Sequence, residues 1–330
     1  MYRYSVTDMR FSALTLLLTL AFSAQVTFAQ TRPATKIIVD TDVGDDIDDA
    51  FAIDLALSSP ELQILGISSA WGDTTLRARM LDRMVCETGR KEIIVNSGIS
   101  TKSATTFSQA AWAKAGIEHP HADAVTFLLE QIKAHPGEIT LLAIGPLTNI
   151  GAAIDRDPAA FRKLQRVVLM GGSIHRGYGP VGTAPEPEYN IARDPVSAQK
   201  LLRSGVPIFM LPLDSTQIKF DAAKRSELAS ISTPMTDALQ VLIAEWSRST
   251  HQDSPTLFDA VAAAYAIDAK TCPMTPLHLE VDDKGMMRTT PGSPNANACL
   301  EPKEDAFFSL LMPRLLNQRL VGTETCIAAK

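Results

Sequence analysis

Carboxylates crowd into one short stretch of the chain, and this stretch is where chemistry is expected. Residues 37–50 read IIVDTDVGDDIDDA, which places six aspartates within ten positions. Carboxylates packed so closely repel one another and raise each other's pKa values. A hard cation relieves that repulsion, and ligands that are all oxygen favour Ca²⁺ or Mg²⁺ over zinc. A helix N-terminus would account for Asp48 and Asp49, but not for Asp40, Asp42, Asp45 and Asp46.

The elements around this stretch predict a single α/β domain over residues 30–330. Short apolar runs alternate with amphipathic segments, which is typical of a mostly parallel, Rossmann-like sheet flanked by helices. Ligands bind such sheets at the carboxyl ends of the strands, where the acidic stretch falls. The long loops 96–121 and 171–188 are expected to carry function or form lids. We predict strands at 36–39, 64–69, 93–95, 139–143, 167–170 and 208–211, helices at 48–57, 76–87, 123–134, 147–155, 195–203 and 235–248, and a hairpin over 277–290.

The first 29 residues are predicted to be a secretory signal peptide. Arg3 and Arg10 flank the start, residues 11–22 are almost wholly apolar, and Thr27 and Ala29 suit cleavage before Gln30. The alternative is an uncleaved, membrane-anchoring helix. No later run reaches the ~20 apolar residues of a membrane span. We therefore expect an exported protein, periplasmic or secreted, that is free of the membrane after cleavage. Its net charge of −6 argues against nucleic acid as a partner.

The four cysteines show no close C-x-x-C pairing, which argues against a zinc site. Export permits disulfides. Cys299 and Cys326 are assigned to an irregular tail, and with Cys272 they offer candidate pairs. Cys86 lies in a helical pattern and is interpreted as a buried apolar residue.

Two known types of acidic motif are alternative explanations of the aspartates in residues 40–49. A calcium-binding EF-hand loop requires glycine at its sixth position, where Asp45 stands, so that interpretation fails. A phosphatase of the haloacid dehalogenase type also begins with a strand and Asp-x-Asp. Asp40 and Asp42 would then be nucleophile and acid of an Mg²⁺-dependent phosphohydrolase, but Asp48 and Asp49 would be unexplained.

The opening motif resembles that of the nucleoside hydrolase family, the inosine-uridine-preferring type and its relatives. The resemblance continues in order along most of the chain. Its further blocks are ISSAWGD at 67–73, LLAIGPLTNI at 141–150, VLMGG at 168–172, EPEYNI at 186–191 and LFDA at 257–260. The family's fold is the α/β architecture predicted above.

The resemblance implies Ca²⁺-dependent hydrolysis of the N-glycosidic bond of ribonucleosides and a homo-oligomeric assembly. It assigns the side chains of Asp42, Asp49 and Asp259 and the main-chain carbonyl of Ile144 to the metal. Asp42 is also the implied general base that activates the attacking water. The implied substrate-binding residues, which would hold the nucleoside and mainly its ribose hydroxyls, are Asp48, Asp73, Glu188, Tyr189 and Asn190.

The sequence departs from the family's pattern at two places. Val43 stands where many members have proline, and Asp45 and Asp46 are extra, so either Asp46 or Asp48 faces the sugar. Phe258 stands where members with a broad range of bases have histidine as leaving-group acid. Protonation by another group or stacking on an aromatic would replace it, and purine nucleosides are favoured as substrates. A nucleoside- or ribose-binding protein without turnover is a further alternative. The candidates for contacting the base are Trp71, Trp112, His119, His121, His175, Tyr189 and Trp246.

Overall fold

The computed structural model of the chain describes residues 1–2, 33–102 and 106–328. The chain divides into a unit of residues 1–32 and a unit of residues 33–330, and every element below belongs to the second unit. The predicted signal peptide lies almost entirely outside the described residues and stays a prediction. None of the helices within the described ranges combines the length and apolarity that crossing a bilayer requires.

Eleven strands and thirteen α-helices lie within the described residues. The strands are β1 Thr35–Thr41, β2 Leu62–Ser69, β3 Ile94–Ser97, β4 Ala122–Asp123, β5 Ile139–Ile144, β6 Arg166–Met170, β7 Ile208–Leu211, β8 Met274–Leu277, β9 Leu279–Val281, β10 Met287–Thr289 and β11 Ala296–Cys299. The helices are α1 Asp48–Leu57, α2 Thr74–Glu87, α3 Ala110–Ala115, α4 Ala124–Ala134, α5 Thr148–Arg156, α6 Pro158–Phe161, α7 Tyr189–Arg193, α8 Pro195–Arg203, α9 Leu213–Thr216, α10 Ala222–Ala229, α11 Pro234–Thr250, α12 Phe258–Ile267 and α13 Glu304–Asn317.

Nine of these strands form the central sheet of the described chain, in the order β4-β3-β2-β1-β5-β6-β7-β11-β8. Every pairing is parallel except that of β11 with the edge strand β8. The predicted parallel α/β architecture is therefore confirmed. The predicted hairpin is also confirmed, because β9 and β10 pair as a separate antiparallel ribbon.

Alternating side chains of β1 pack into two hydrophobic cores, one on each face of the sheet. Ile37 and Val39 pack into the core shared with α1, α2 and α12, whereas Ile38 packs into the core on the opposite face. A strand that is buried on both faces reads as a continuous apolar run, as residues 37–39 do. This burial fixes the carboxyl end of β1, and hence the acidic turn that follows it.

Two disulfides correct the interpretation of the cysteines. Cys86, at the end of α2, is bonded to Cys326, so the view of Cys86 as merely a buried apolar residue is wrong. The other bond joins Cys272 to Cys299, and Cys299 ends β11 rather than lying in an irregular tail. The C-terminal segment is thereby held against α2, and Gly322 N donates to Glu87 O at 2.8 Å.

Candidate active site

The site forms at the carboxyl ends of the central strands, where two helices also begin. Asp48 and Asp49 lie in the first turn of α1, and Asp259 lies in the first turn of α12. Both helices direct their N-terminal backbone N–H groups towards this point, which favours negative charge there. Asp259 N donates to Asp48 Oδ2 at 3.1 Å and so ties the two helix starts together.

Three buried carboxylates in this cluster have the geometry of a metal site. Asp48, Asp49 and Asp259 each offer an oxygen atom within 4.8 Å of the other two. Thr41 Oγ1 donates to Asp49 Oδ1 and orients that carboxylate. The donors are all oxygen and the side chains are almost fully buried, so the set fits a hard divalent cation. Asp48, for which the sequence predicts a sugar contact, therefore lies in the metal cluster itself.

Asp42 follows β1 directly and lies beside this cluster. The Arg77 guanidinium, buried under Phe107, donates from Nη1 to the carbonyl oxygens of Asp42 and of Val43, the latter at 2.7 Å. Gly145 leaves the space that the Asp42 carboxylate occupies, since a Cβ atom at Gly145 would lie 2.9 Å from Asp42 Oδ1. Arg77 thus holds the backbone of the acidic turn in place, while Asp42 lines the cavity.

The same carboxylates carry raised pKa values, and the main cause is burial. Burial raises the pKa of Asp42 to about 6 against the opposing effect of the Arg77 guanidinium. Burial, followed by repulsion between neighbouring carboxylates, raises the pKa values of Asp48, Asp49 and Asp259 well above their usual range. A bound cation reverses both effects, because it supplies positive charge where water is excluded.

An inner cavity of about 250 Å³ opens above the cluster. It is lined by Asp42, Asp45, Asp46, Asp48, Asp49, Ile144, Met170, Tyr178, Glu188, Tyr189, Asn190, Phe258 and Asp259. Nearly all the predicted site residues therefore come together around one space. Asp46 is exposed at its rim, whereas Asp48 is buried at its floor.

Glu188 and Asn190, at the start of α7, also line the inner cavity. Glu188 caps the N-terminus of α7: its Oε1 accepts from Asn190 N at 2.9 Å, and its Oε2 accepts from Gly172 N at 2.9 Å and Ile191 N at 3.1 Å. Asn190 Nδ2 donates to Met170 O at 3.2 Å. Both side chains are held rigidly, which suits the binding of hydroxyl groups by an acceptor and an amide.

Asp73 is placed elsewhere. Its exposed side chain caps the N-terminus of α2 by accepting from Leu76 N at 3.0 Å, and the structure does not bring it to the lining of the inner cavity. A local helix-start signal explains the residue without a substrate.

The aromatic and histidine candidates are mostly dispersed. Tyr189 lines the inner cavity and Trp246 a neighbouring one, whereas Trp112 packs under the Arg83 guanidinium. His121 pairs with Asp82 at 2.7 Å. Sequence reasoning did not single out Tyr178, although it lies in the Gly- and Pro-rich loop that was expected to carry function. Tyr178 stands edge-on to Phe258, with 6.0 Å between ring centroids, and Tyr189 N donates to its hydroxyl oxygen at 3.0 Å.

Asp40 does not fit the role of a nucleophile. Its side chain is buried within β1, and its Oδ2 accepts from Asn149 Nδ2 at 2.8 Å. Asp40 is also absent from the described residues that line the inner cavity. The phosphohydrolase alternative therefore loses the residue on which it depends.

Fold and site together define a parallel α/β protein with an oxygen-ligand metal site at its strand ends. Solved structures share this fold: a plant nucleoside hydrolase matches with a TM-score of 0.74 and 25% identity over 87% of this chain and 100% of that one. The purine-preferring ribonucleoside hydrolase from Gardnerella vaginalis matches with a TM-score of 0.72 and 25% identity over 86% of this chain and 98% of that one.

The family follows from the sequence match. The profile of the inosine-uridine preferring nucleoside hydrolase family matches residues 37–309, and the chain belongs to this family. A pyrimidine-specific ribonucleoside hydrolase, RihB, from Escherichia coli is 32% identical over 194 residues, which cover 55% of this chain and 60% of that protein. The chain thus spans about three fifths of the length of the curated relatives it matches.

Proposed function

We propose that the protein hydrolyses the N-glycosidic bond of ribonucleosides, releasing free base and ribose, with Ca²⁺ at the Asp48–Asp49–Asp259 cluster. The observation that carries this proposal is the inner cavity, in which three buried carboxylates form the floor and Asp42, Glu188 and Asn190 form the walls. Family membership supports the reaction. The buried, all-oxygen donor set supports a calcium-like cation.

The residues of the inner cavity have different roles in the proposed hydrolysis. Asp42 accepts the proton of the attacking water, a role that suits a carboxylate that lines the cavity beside the cluster. Bound Ca²⁺ would supply positive charge that lowers the pKa of that water and binds ribose hydroxyls. Glu188 and Asn190 hold further hydroxyls. Ile144 lines the cavity at the end of β5, where its carbonyl oxygen would bind the metal. The sugar develops oxocarbenium character as the bond to the base breaks, and the surrounding carboxylates stabilise that positive charge.

The leaving base faces Phe258 and Tyr178. Neither ring replaces a histidine as an acid at neutral pH, and burial raises the pKa of Tyr178 further. We propose that these rings bind the base by stacking and edge contacts, and that purines are preferred for their larger ring surface. The purine-preferring Gardnerella relative supports this preference, whereas the pyrimidine-specific relative from Escherichia coli makes it a question for experiment.

The test measures free base and ribose released from a panel of ribonucleosides, with Ca²⁺ and with chelator. Release should require the cation, and Asp42→Asn should lower the rate by about 10²- to 10⁴-fold. Asp73→Asn is the matched control: it changes an aspartate outside the cavity and keeps a helix-capping residue, so its rate should stay near that of the parent. Tight nucleoside binding without release, in protein shown to hold metal, would overturn the hydrolase proposal in favour of a binding protein.

We further propose that the mature chain is exported and assembles as a homo-oligomer. N-terminal sequencing of protein recovered outside the cytoplasm should begin at Gln30, and light scattering should give a multiple of the chain mass. An N-terminus at Met1, or a mass of one chain, would contradict the respective proposal.

A further inference from the structure

A second, outer cavity of about 740 Å³ adjoins the inner one. The two share Asp46, Tyr178 and Phe258 as lining residues. A ligand seated in the inner cavity can therefore extend past these three side chains into the outer cavity. The rest of the outer wall comes from the loop before α7, the segment that follows α9, the second half of α11 and the segment that follows α11.

The charge of the outer cavity is opposite to that of the inner one. Arg176 and Lys219 line it, and Asp46 is the one carboxylate among its described lining residues. The ion pairs found in the described part of the chain are formed by other side chains, so neither cation is neutralised in this way. Two cations against one carboxylate leave a net positive charge beside the cavity, and this charge favours an anionic ligand.

Arg176 is also held in place. Its Nε and Nη2 both donate to Gly179 O, at 3.1 and 2.6 Å, which fixes the guanidinium against its own loop. Lys219 is exposed, and its Nζ has a long contact of 3.5 Å with Ser254 O. A guanidinium held in place near an exposed ammonium is a good arrangement for binding a carboxylate.

Aromatic rings complete the lining of the outer cavity. Buried Trp246, together with Tyr178 and Phe258, offers surface against which a flat ring can pack. A phosphate on the ribose 5′-oxygen is less suited to the inner cavity, because the carboxylates that line that cavity would repel it.

We propose that the outer cavity binds the aglycone of an N-riboside and selects an aglycone that carries a carboxylate, which Arg176 and Lys219 bind. This inference rests on the proposed hydrolase function, because the inner cavity must hold the ribose. The substrate class is thus a ribonucleoside whose base has an anionic substituent on the edge remote from the sugar.

The test compares two adenosine derivatives that differ only in charge: N6-(carboxymethyl)adenosine and its carboxamide, N6-(carbamoylmethyl)adenosine. Each is measured as a substrate and as a competitor of adenosine or of the best neutral nucleoside. The parent protein should bind the carboxylate about tenfold more tightly than the amide, the size of one charge-assisted hydrogen bond. Arg176→Gln should abolish this preference and Arg176→Lys should restore part of it, while Lys219→Gln should reduce it about threefold because that ammonium is exposed.

Arg248→Gln is the control, because it removes an equal charge from the exposed face of α11 outside the outer cavity. It should leave the preference unchanged. Equal affinities for the two derivatives in the parent would overturn the inference. So would an effect of the Arg176 and Lys219 changes that appears only with adenosine 5′-monophosphate. Cleavage of neutral nucleosides, measured alongside, reports on the hydrolase function separately; if none is cleaved, calorimetric titration of the two derivatives still tests the outer cavity.

Discussion

In the metal-free protein, the free energy of unfolding should fall as the pH rises. This trend is the opposite of ordinary acid denaturation. Burial raises the pKa of Asp42 from 3.8 to about 6 in the folded protein. The folded state therefore holds this proton more tightly than the unfolded state does. The resulting stabilisation is fully present below pH ~4 and is lost as the pH rises through about 6. Asp40, whose pKa burial raises to about 7, acts in the same direction.

The magnitude follows from the shift of Asp42. Between pH 5 and pH 8, one unit below and two units above its pKa of about 6, this carboxyl alone changes the free energy of unfolding by about 1.4 kcal/mol. For a chain of this size that corresponds to a fall of about 3–6 °C in the thermal midpoint. Exposed carboxylates with lowered pKa values, such as Asp123, lose their contribution only at lower pH and do not mask the trend.

Ca²⁺ should oppose this fall, because it binds the deprotonated carboxylates. At a concentration one hundred times its Kd, it adds about 2.7 kcal/mol. The assay is thermal unfolding of chelator-treated protein between pH 5 and pH 8, repeated with Ca²⁺. Asp42→Asn should make the metal-free fall smaller without removing it, because Asp40 and the cluster carboxylates remain. Glu227→Gln, at an exposed position of α10, should leave the fall unchanged. A metal-free thermal midpoint that rises or stays level across this range would refute the reasoning that burial raises the pKa values of these carboxylates.

Three further perturbations test other features of the site and fold. Gly145→Ala places a Cβ atom 2.8 Å from Asp42 N, so the initial rate of base release should fall at least about tenfold in protein that still folds by circular dichroism; an unchanged rate would contradict the tight packing at this point. Replacing Cys86 and Cys326 with serine should cost about 2–5 kcal/mol in denaturant unfolding, because the bond closes a very long loop; an unaltered midpoint would show that the bond adds no stability. 2′-Deoxyribonucleosides should be cleaved on the order of 10⁴-fold more slowly than ribonucleosides, since buried partners of the 2′-hydroxyl are left unpaired. Comparable rates in the same base-release assay would show that the site does not bind the 2′-hydroxyl.

The parts of the molecule that local sequence determines were predictable. Helix α1 spans 48–57 as predicted, because the acidic turn gives it a clear start and an apolar stretch follows. The inner strands were found because burial on both faces makes them continuous apolar runs. The long loop 96–121 was expected to lack regular structure, and its short helix α3 was missed because six residues give little periodicity.

The site was harder to predict where distant segments decide the geometry. The place of Asp48 in the metal cluster depends on its contact with Asp259 N, 211 residues away. The motif at 67–73 predicted a substrate contact for Asp73, whereas in the structure its side chain caps the N-terminus of α2. The edge strand β8 and its neighbour β11 were not predicted, because strands of four residues with mixed patterning gain their conformation from tertiary pairing. Arg77 was overlooked because a buried arginine is recognisable only once its carbonyl partners are in place.

The bond between Cys86 and Cys326 also constrains how the chain can reach its fold. During synthesis Cys86 appears 240 residues before its partner, and Cys272 and Cys299 appear in between. A disulfide of Cys272 with Cys299 closes a loop of 27 residues, which costs less entropy than capture of either by Cys86. In an oxidising compartment the short loop therefore forms first and removes both competitors. The bond between Cys326 and Cys86 then joins the segment that follows α13 to α2, so a chain truncated before Cys326 would leave Cys86 without its disulfide partner.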